Sequence, residues 1–192
     1  GGIYVTESNA LSLAANATGG AVDVRTTNGS LDVTSAIGTG VALTAGGAGS
    51  GITLNGAVNA GAGNVTLAAG TFASGAIVAG TGDQITGGAL TVTASTIGTS
   101  AERLNTTVTS LDATTASGGI FVTESDALTL TASAAGGAVD VQTTNGALSV
   151  NSVNGAGVAL TAGGAGNGIT IDGTVDAGAS NVTLVAGTSA NR

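Results

Sequence analysis

Residues 1–75 of this chain return as residues 118–192, displaced by 117 positions with no insertion or deletion. The match runs from GGIYVTES at 1–8 against GGIFVTES at 118–125 to GVALTAGGAG at 40–49 against the identical run at 157–166, and about two-thirds of the aligned pairs are the same residue. A repeat of this length and regularity restricts the fold to architectures that use one structural unit again, solenoids and arrays above all. The second copy stops partway, so the 192 residues read as a window on a longer array. Its organisation is a first repeat, 1–117, and a partial second repeat, 118–192, with no independent globular domains.

A finer beat runs inside the long repeat. Apolar-x-apolar triplets recur between Gly, Asn, Ser and Thr: Ile3-Tyr4-Val5, Leu11-Ser12-Leu13, Val22-Asp23-Val24, Leu31-Asp32-Val33, Val41-Ala42-Leu43, Ile52-Thr53-Leu54 and Val65-Thr66-Leu67. Period-two alternation over so few residues means a short strand with one buried face, the first and third residues inward. Helix is disfavoured, because β-branched residues dominate and glycine interrupts nearly every ten residues. Alternate triplets lie about 20 residues apart, as Ile3, Val22 and Val41 do. That is the length a parallel β-solenoid coil needs while climbing roughly 4.8 Å per turn. The spacing predicts an all-β parallel β-helix with coils of about 20 residues and almost no helix. One repeat is then about six coils, and the fragment a rod of nine or ten coils, roughly 45 Å long.

Composition agrees. With 42% hydrophobic residues and only 7% charged, the chain can fold, yet 2% aromatic content cannot fill a broad core, so a narrow aliphatic column is expected. The turns carry TTNG at 26–29 and 143–146 and further Asn-Gly pairs at 55–56, 154–155 and 167–168. Such pairs suit left-handed corners but also the hairpins of an antiparallel sandwich; the 20-residue beat favours the solenoid. Residues 96–117 break the beat, with Glu102 beside Arg103 and irregular spacing of Leu104, Val108 and Leu111, and read as a distorted coil or protruding loop.

Charge and composition exclude several functions. A net charge of −8, with only Arg25, Arg103 and Arg192 as cations, removes the basic footprint that nucleic acid requires. Cysteine is absent, so disulfides and thiolate metal sites are excluded. No apolar run approaches the roughly 18 residues of a membrane span, and the start has no leader pattern, so any export signal is expected outside the fragment.

The run from Ile97 through LNTTVTSLDATTASGGIFVTES to the DALTL at 126–130 resembles the repeats of filamentous-haemagglutinin-like proteins, the bacterial surface adhesins exported by two-partner secretion. The resemblance is one of repeat style over nearly the whole chain. It implies a right-handed β-helix, a place outside the cell, and a structural shaft segment of a secreted adhesin or filament that contacts further copies or repeats of itself. A glycan- or matrix-binding surface is the alternative, and a polysaccharide-degrading enzyme the weakest reading. The family's secretion domain has no counterpart here, and the chain contains no proline.

Asp23 and Asp32 sit on outward positions of adjacent strands and form a conceivable carboxylate pair, but the second copy keeps Asp140 and replaces its partner with Ser149. A solvated face explains them better, and the chain is read as not an enzyme. GGAGSGITL at 46–54 and GGAGNGITI at 163–171 approach a calcium-binding nonapeptide, yet Gly51 and Gly168 stand where its aspartate belongs. Glu7 and Glu124 read as isolated surface carboxylates, and no metal or cofactor is expected. Sequons at Asn16, Asn28, Asn64, Asn105 and Asn181 are at chance level for this composition, Asn28 and Asn64 doubling as corner residues. The remaining candidates are Tyr4 and Phe121, the one aromatic position kept between copies. Alternation turns them outward as a row of contact points about 28 Å apart, fit for bundling or glycan stacking unless a neighbouring loop covers them. Outward threonines do not recur at one place in every coil, which argues against an ice-binding array.

Overall fold

The alternating triplets form strands wherever they occur. In the computed structural model, which describes residues 1–187, the strands are β1 (Ile3–Glu7), β2 (Leu11–Asn16), β3 (Val22–Thr26), β4 (Leu31–Ile37), β5 (Val41–Ala45) and β6 (Ile52–Asn59). They continue through β7 (Val65–Ala69), β8 (Ile77–Ala79), β9 (Gln84–Ala94), β10 (Leu104–Thr115), β11 (Ile120–Glu124) and β12 (Leu128–Ala134). The last are β13 (Val139–Thr143), β14 (Leu148–Asn154), β15 (Val158–Ala162), β16 (Ile169–Asp176) and β17 (Val182–Ala186). One 3-10 turn, Thr71–Ala73, is the only helical segment among the described residues.

No strand pairs with its neighbour in the chain across a hairpin. Ile3 pairs with Val22, Val22 with Val41 and Val41 with Val65, while Leu11 pairs with Leu31 and Leu31 with Ile52, all in parallel. The chain is therefore a parallel β-solenoid of about nine coils at roughly 21 residues each, as the beat predicts. One wall stacks β1, β3, β5, β7, β9, β10, β12, β14 and β16. The other stacks β2, β4, β6 and β8, continues through a bridge at Ile97, and resumes with β11, β13, β15 and β17.

The inward residues of both walls form a single core. Val22, Val24, Leu31, Val33, Leu43, Ile52 and Leu54 have no exposed surface, and in the second copy Val139, Val141, Leu148, Val150 and Leu160 are buried in the same way, while Ile169 is partly buried and Ile171 exposed. Each aliphatic side chain so buried contributes about 1.5–3 kcal/mol. Where the column needs a corner, an inward threonine supplies the hydrogen bonds. Thr26 Oγ1 donates to the Gly29 carbonyl and accepts from Gly46 N at 3.1 Å; Thr143 repeats this with Gly146 and with Gly163 N at 3.2 Å.

The Asn-Gly pairs work differently from the expectation. Gly29 and Gly146 do not have positive φ. They are glycine because a Cβ there would strike the backbone of Ala10 and Ala127 in the preceding coil. Left-handed corners occur instead in the GGAG runs, among other glycines: Gly47 and Gly49 have φ of 91° and 73°, and Gly164 and Gly166 have 87° and 82°.

Two further expectations change. Residues 96–117 are mostly regular: β10 is the longest strand, 12 residues, and its uneven apolar spacing marks the corner it turns between walls. Only residues 98–103 leave the coil. The 117-residue repeat is also not six coils. Ile3 begins the first wall, and its counterpart Ile120 stacks on Ile97 in the second; Leu11 lies on the second wall, and its counterpart Leu128 belongs to a strand on the first. The repeat spans five and a half coils, so equivalent strands of the two copies exchange walls.

Candidate functional site

The second wall is interrupted in two successive coils. After β8, residues 80–83 swing outward before β9, with Gly82 at φ 90°. One coil on, residues 98–103 swing out between Ile97 and β10, starting at Gly98 with φ 59°. This second loop is closed internally: Thr99 N donates to the Glu102 carbonyl at 2.8 Å, and Glu102 N donates to Thr99 Oγ1 at 2.9 Å. The loops are joined through Asp83, 7% exposed, whose carboxylate accepts from Asn105 N and Asn105 Nδ2, each at 3.0 Å. Between them opens a cleft of about 340 Å³ lined by Thr81, Asp83, Glu102, Arg103, Asn105 and Thr123.

Arg103 ties this region to the two coils that follow. Its Nη1 donates to the carbonyls of Val122 (3.3 Å) and Asp140 (2.9 Å), and its Nη2 pairs with the Asp140 carboxylate. The irregular spacing around Glu102 and Arg103 was the sequence signal for this loop; the partner loop at 80–83 carried none that was singled out, although its TGD turn is a conventional one.

The aromatic pair is placed unevenly. Tyr4 is 72% exposed on the first wall, whereas Phe121 is half-buried on the second. The two therefore do not form a row along one face, because the half coil in the repeat separates them by wall. Five and a half coils put them about 26 Å apart along the axis instead of 28 Å. Phe121 lies over the interruption: its N donates to the Ile97 carbonyl at 2.9 Å, and Asp140, gripped by Arg103, is its neighbour in the next coil. Both rings fold back over the glycine two residues earlier. A Cβ at Gly2 would lie 2.6 Å from Tyr4 Cε2, and one at Gly119 would lie 2.6 Å from Phe121 Cε2, so the GGI-aromatic-V run is a packing unit in both copies.

The carboxylates separate as well. Asp23 is on the first wall and Asp32 on the second, so they do not face each other. Asp32 instead accepts from Asn55 Nδ2 in the following coil at 2.6 Å. In the second copy Ser149 replaces Asp32 and Asp172 replaces Asn55, and Ser149 Oγ donates to Asp172 at 2.8 Å. The rung-to-rung bond persists with donor and acceptor exchanged, which explains why the Asp23 and Asp32 pattern did not repeat.

Glu124 is not a surface acid. It has no exposed area, and its Oε2 accepts from Thr106 Oγ1 (2.7 Å) and Val108 N (3.0 Å), its Oε1 from Asp126 N (3.1 Å). The alternation Ile120, Val122, Glu124 turns it inward, and the corner of β10 leaves Val108 N for it to satisfy. Glu7, its counterpart on the first coil, is half-buried and accepts only from its own turn, Ser8 N at 2.8 Å and Asn9 N at 3.2 Å. The Asn9 and then the Ser8 backbone N–H hold its carboxyl below the usual range.

Asn16, Asn28, Asn64 and Asn181 are exposed. Asn64 Oδ1 accepts from Ala89 N at 3.3 Å, a corner role, while Asn105 is held by Asp83. Among the described residues no helix is long and apolar enough to cross a membrane. No protein-family profile, curated protein or solved structure matches the chain.

Proposed function

We propose that this chain is a structural shaft segment of a secreted bacterial adhesin or extracellular filament, acting through coil stacking and without catalysis. One observation carries the reading: pairing continues through the join between copies. Ile97 bridges Ile120, β10 pairs with both β11 and β12, and Arg103 reaches Asp140, so residues 117 and 118 mark no boundary in the hydrogen-bonded stack. A module joined to its successor by the contacts it uses internally adds length rather than a separable activity. The adhesin-like repeat style of residues 97–130 supports the extracellular setting.

The test is dimensional. Tandem chains of one, two and three complete repeats, measured by small-angle scattering and electron microscopy, are expected to lengthen by about 26 Å per repeat at constant cross-section. Compact particles, or beads joined by flexible linkers, would overturn the shaft reading. Surface labelling of intact source cells with an antibody to this chain tests the location; signal only after permeabilisation refutes it.

A further inference from the structure

We propose that the cleft between residues 80–83 and 98–103 holds a neutral saccharide. Several polar groups of the cleft are already paired. Both Asp83 oxygens serve Asn105, and three Arg103 protons serve Val122 and Asp140. The groups that the lining residues leave unpaired are mixed. The Glu102 carboxylate accepts no hydrogen bond among the described residues, and Asn105 keeps its side-chain carbonyl. Arg103 keeps its Nε proton and one Nη2 proton. Thr123 Oγ1 accepts from Gln142 Nε2 at 2.9 Å and retains its own proton to donate.

Residues with unpaired donors and acceptors thus line a space at the lower end of the range for ligand pockets, roughly 300–1,000 Å³. A ligand that both gives and receives hydrogen bonds at adjacent atoms, as vicinal hydroxyls do, satisfies this set; Ala79 and Ala101 offer only small apolar contacts beside it. An anion would meet Glu102 on a chain of net charge −8. A metal ion would find one unspent carboxylate, since among the described residues no three potential ligand side chains gather. An extended peptide would need an unpaired strand edge, whereas Gln84–Thr86 pairs with β6 and Leu104–Thr106 with β11.

The experiment uses the whole chain, isotope-labelled, titrated with neutral oligomers of glucose, mannose, galactose and N-acetylglucosamine and, separately, with calcium chloride. At least one saccharide is expected to shift the amides of residues 81–83 and 101–105. Glu102→Ala, which removes an exposed side chain, is expected to weaken that binding about tenfold with an unchanged melting temperature, since a hydrogen bond to a charged group is worth about that factor. Tyr4→Ser is expected to leave it unchanged. Failure of every saccharide at millimolar concentration overturns the proposal. So does a response confined to Tyr4, equal binding by the Glu102→Ala chain, or a response to calcium alone.

Discussion

Replacing Glu124 with Gln preserves shape and turns one terminal atom from acceptor to donor, so it isolates the polarity of a single buried site. All three groups around the carboxylate are donors: Thr106 Oγ1, Val108 N and Asp126 N. With the amide oxygen on Thr106 and Val108, the NH2 group meets the Asp126 N–H; flipped, it meets the Val108 N–H, which is the more buried. The first arrangement costs one orphaned donor, about 1–3 kcal/mol. Relief from burying a carboxylate that has no cationic partner offsets part of this, leaving a loss of about 1–2 kcal/mol. Native-state hydrogen exchange is the suitable assay, because a solenoid can open locally rather than as one unit. The expected result is about a tenfold fall in protection at Asp126 and its neighbours, a free-energy change near 1.4 kcal/mol. The same change at Glu7, on the end coil, should stay within about 0.5 kcal/mol. Unchanged protection in the Glu124→Gln chain, or an equal loss from Glu7→Gln, would refute the reasoning.

The Asn-Gly pairs should respond unequally to Ala. Gly146→Ala drives a Cβ to within 2.2 Å of the Ala127 backbone and should cost about 1–3 kcal/mol, whereas Gly155→Ala brings its Cβ no closer than 3.0 Å to any neighbour and should cost less, under about 1 kcal/mol, in denaturant melts. Asn55→Asp alone sets two carboxylates against each other across the rung and should destabilise by about 0.5–1 kcal/mol. Adding Asp32→Ser recreates the pair of the second copy and should restore stability; additive losses in the double-mutant cycle would contradict the exchange of donor and acceptor. Because the folded carboxyl of Glu7 is held low, the order it confers on the first turn is present at neutral pH and fades as pH falls through its folded value, below the ordinary 4.5. Ser8 and Asn9 amide shifts should follow that titration and be flat in Glu7→Gln.

Strands and core were legible because alternation needs only local sequence: all seven triplets named from sequence lie in β1 to β7, and from β3 to β7 their first and third residues are buried, whereas Val5 in β1 is exposed. The exchange of walls was not legible, because the spacing of stacked residues varies from 18 between Leu104 and Val122 to 27 between Ala57 and Gln84, so half a coil cannot be counted from an average. Asp23 and Asp32 illustrate the consequence. They are close in sequence, but the chain crosses the core between them. Glu124 was legible in principle, since it shares parity with Ile120 and Val122; residue type overrode pattern. The candidate cleft was half visible, through the Glu102–Arg103 irregularity, while its other rim at 80–83 depends on stacking that only three dimensions supply.

A repeat of five and a half coils also sets how such a chain tolerates change in copy number. Recombination between repeats this similar adds or deletes whole copies. Losing one copy shortens the rod and also re-aims everything beyond the join, so a feature that faced one side afterwards faces the other. Losing two shortens the rod further yet restores the bearing. Variants with odd and even numbers of repeats therefore differ in direction as well as reach, and only the even step is a change of length alone.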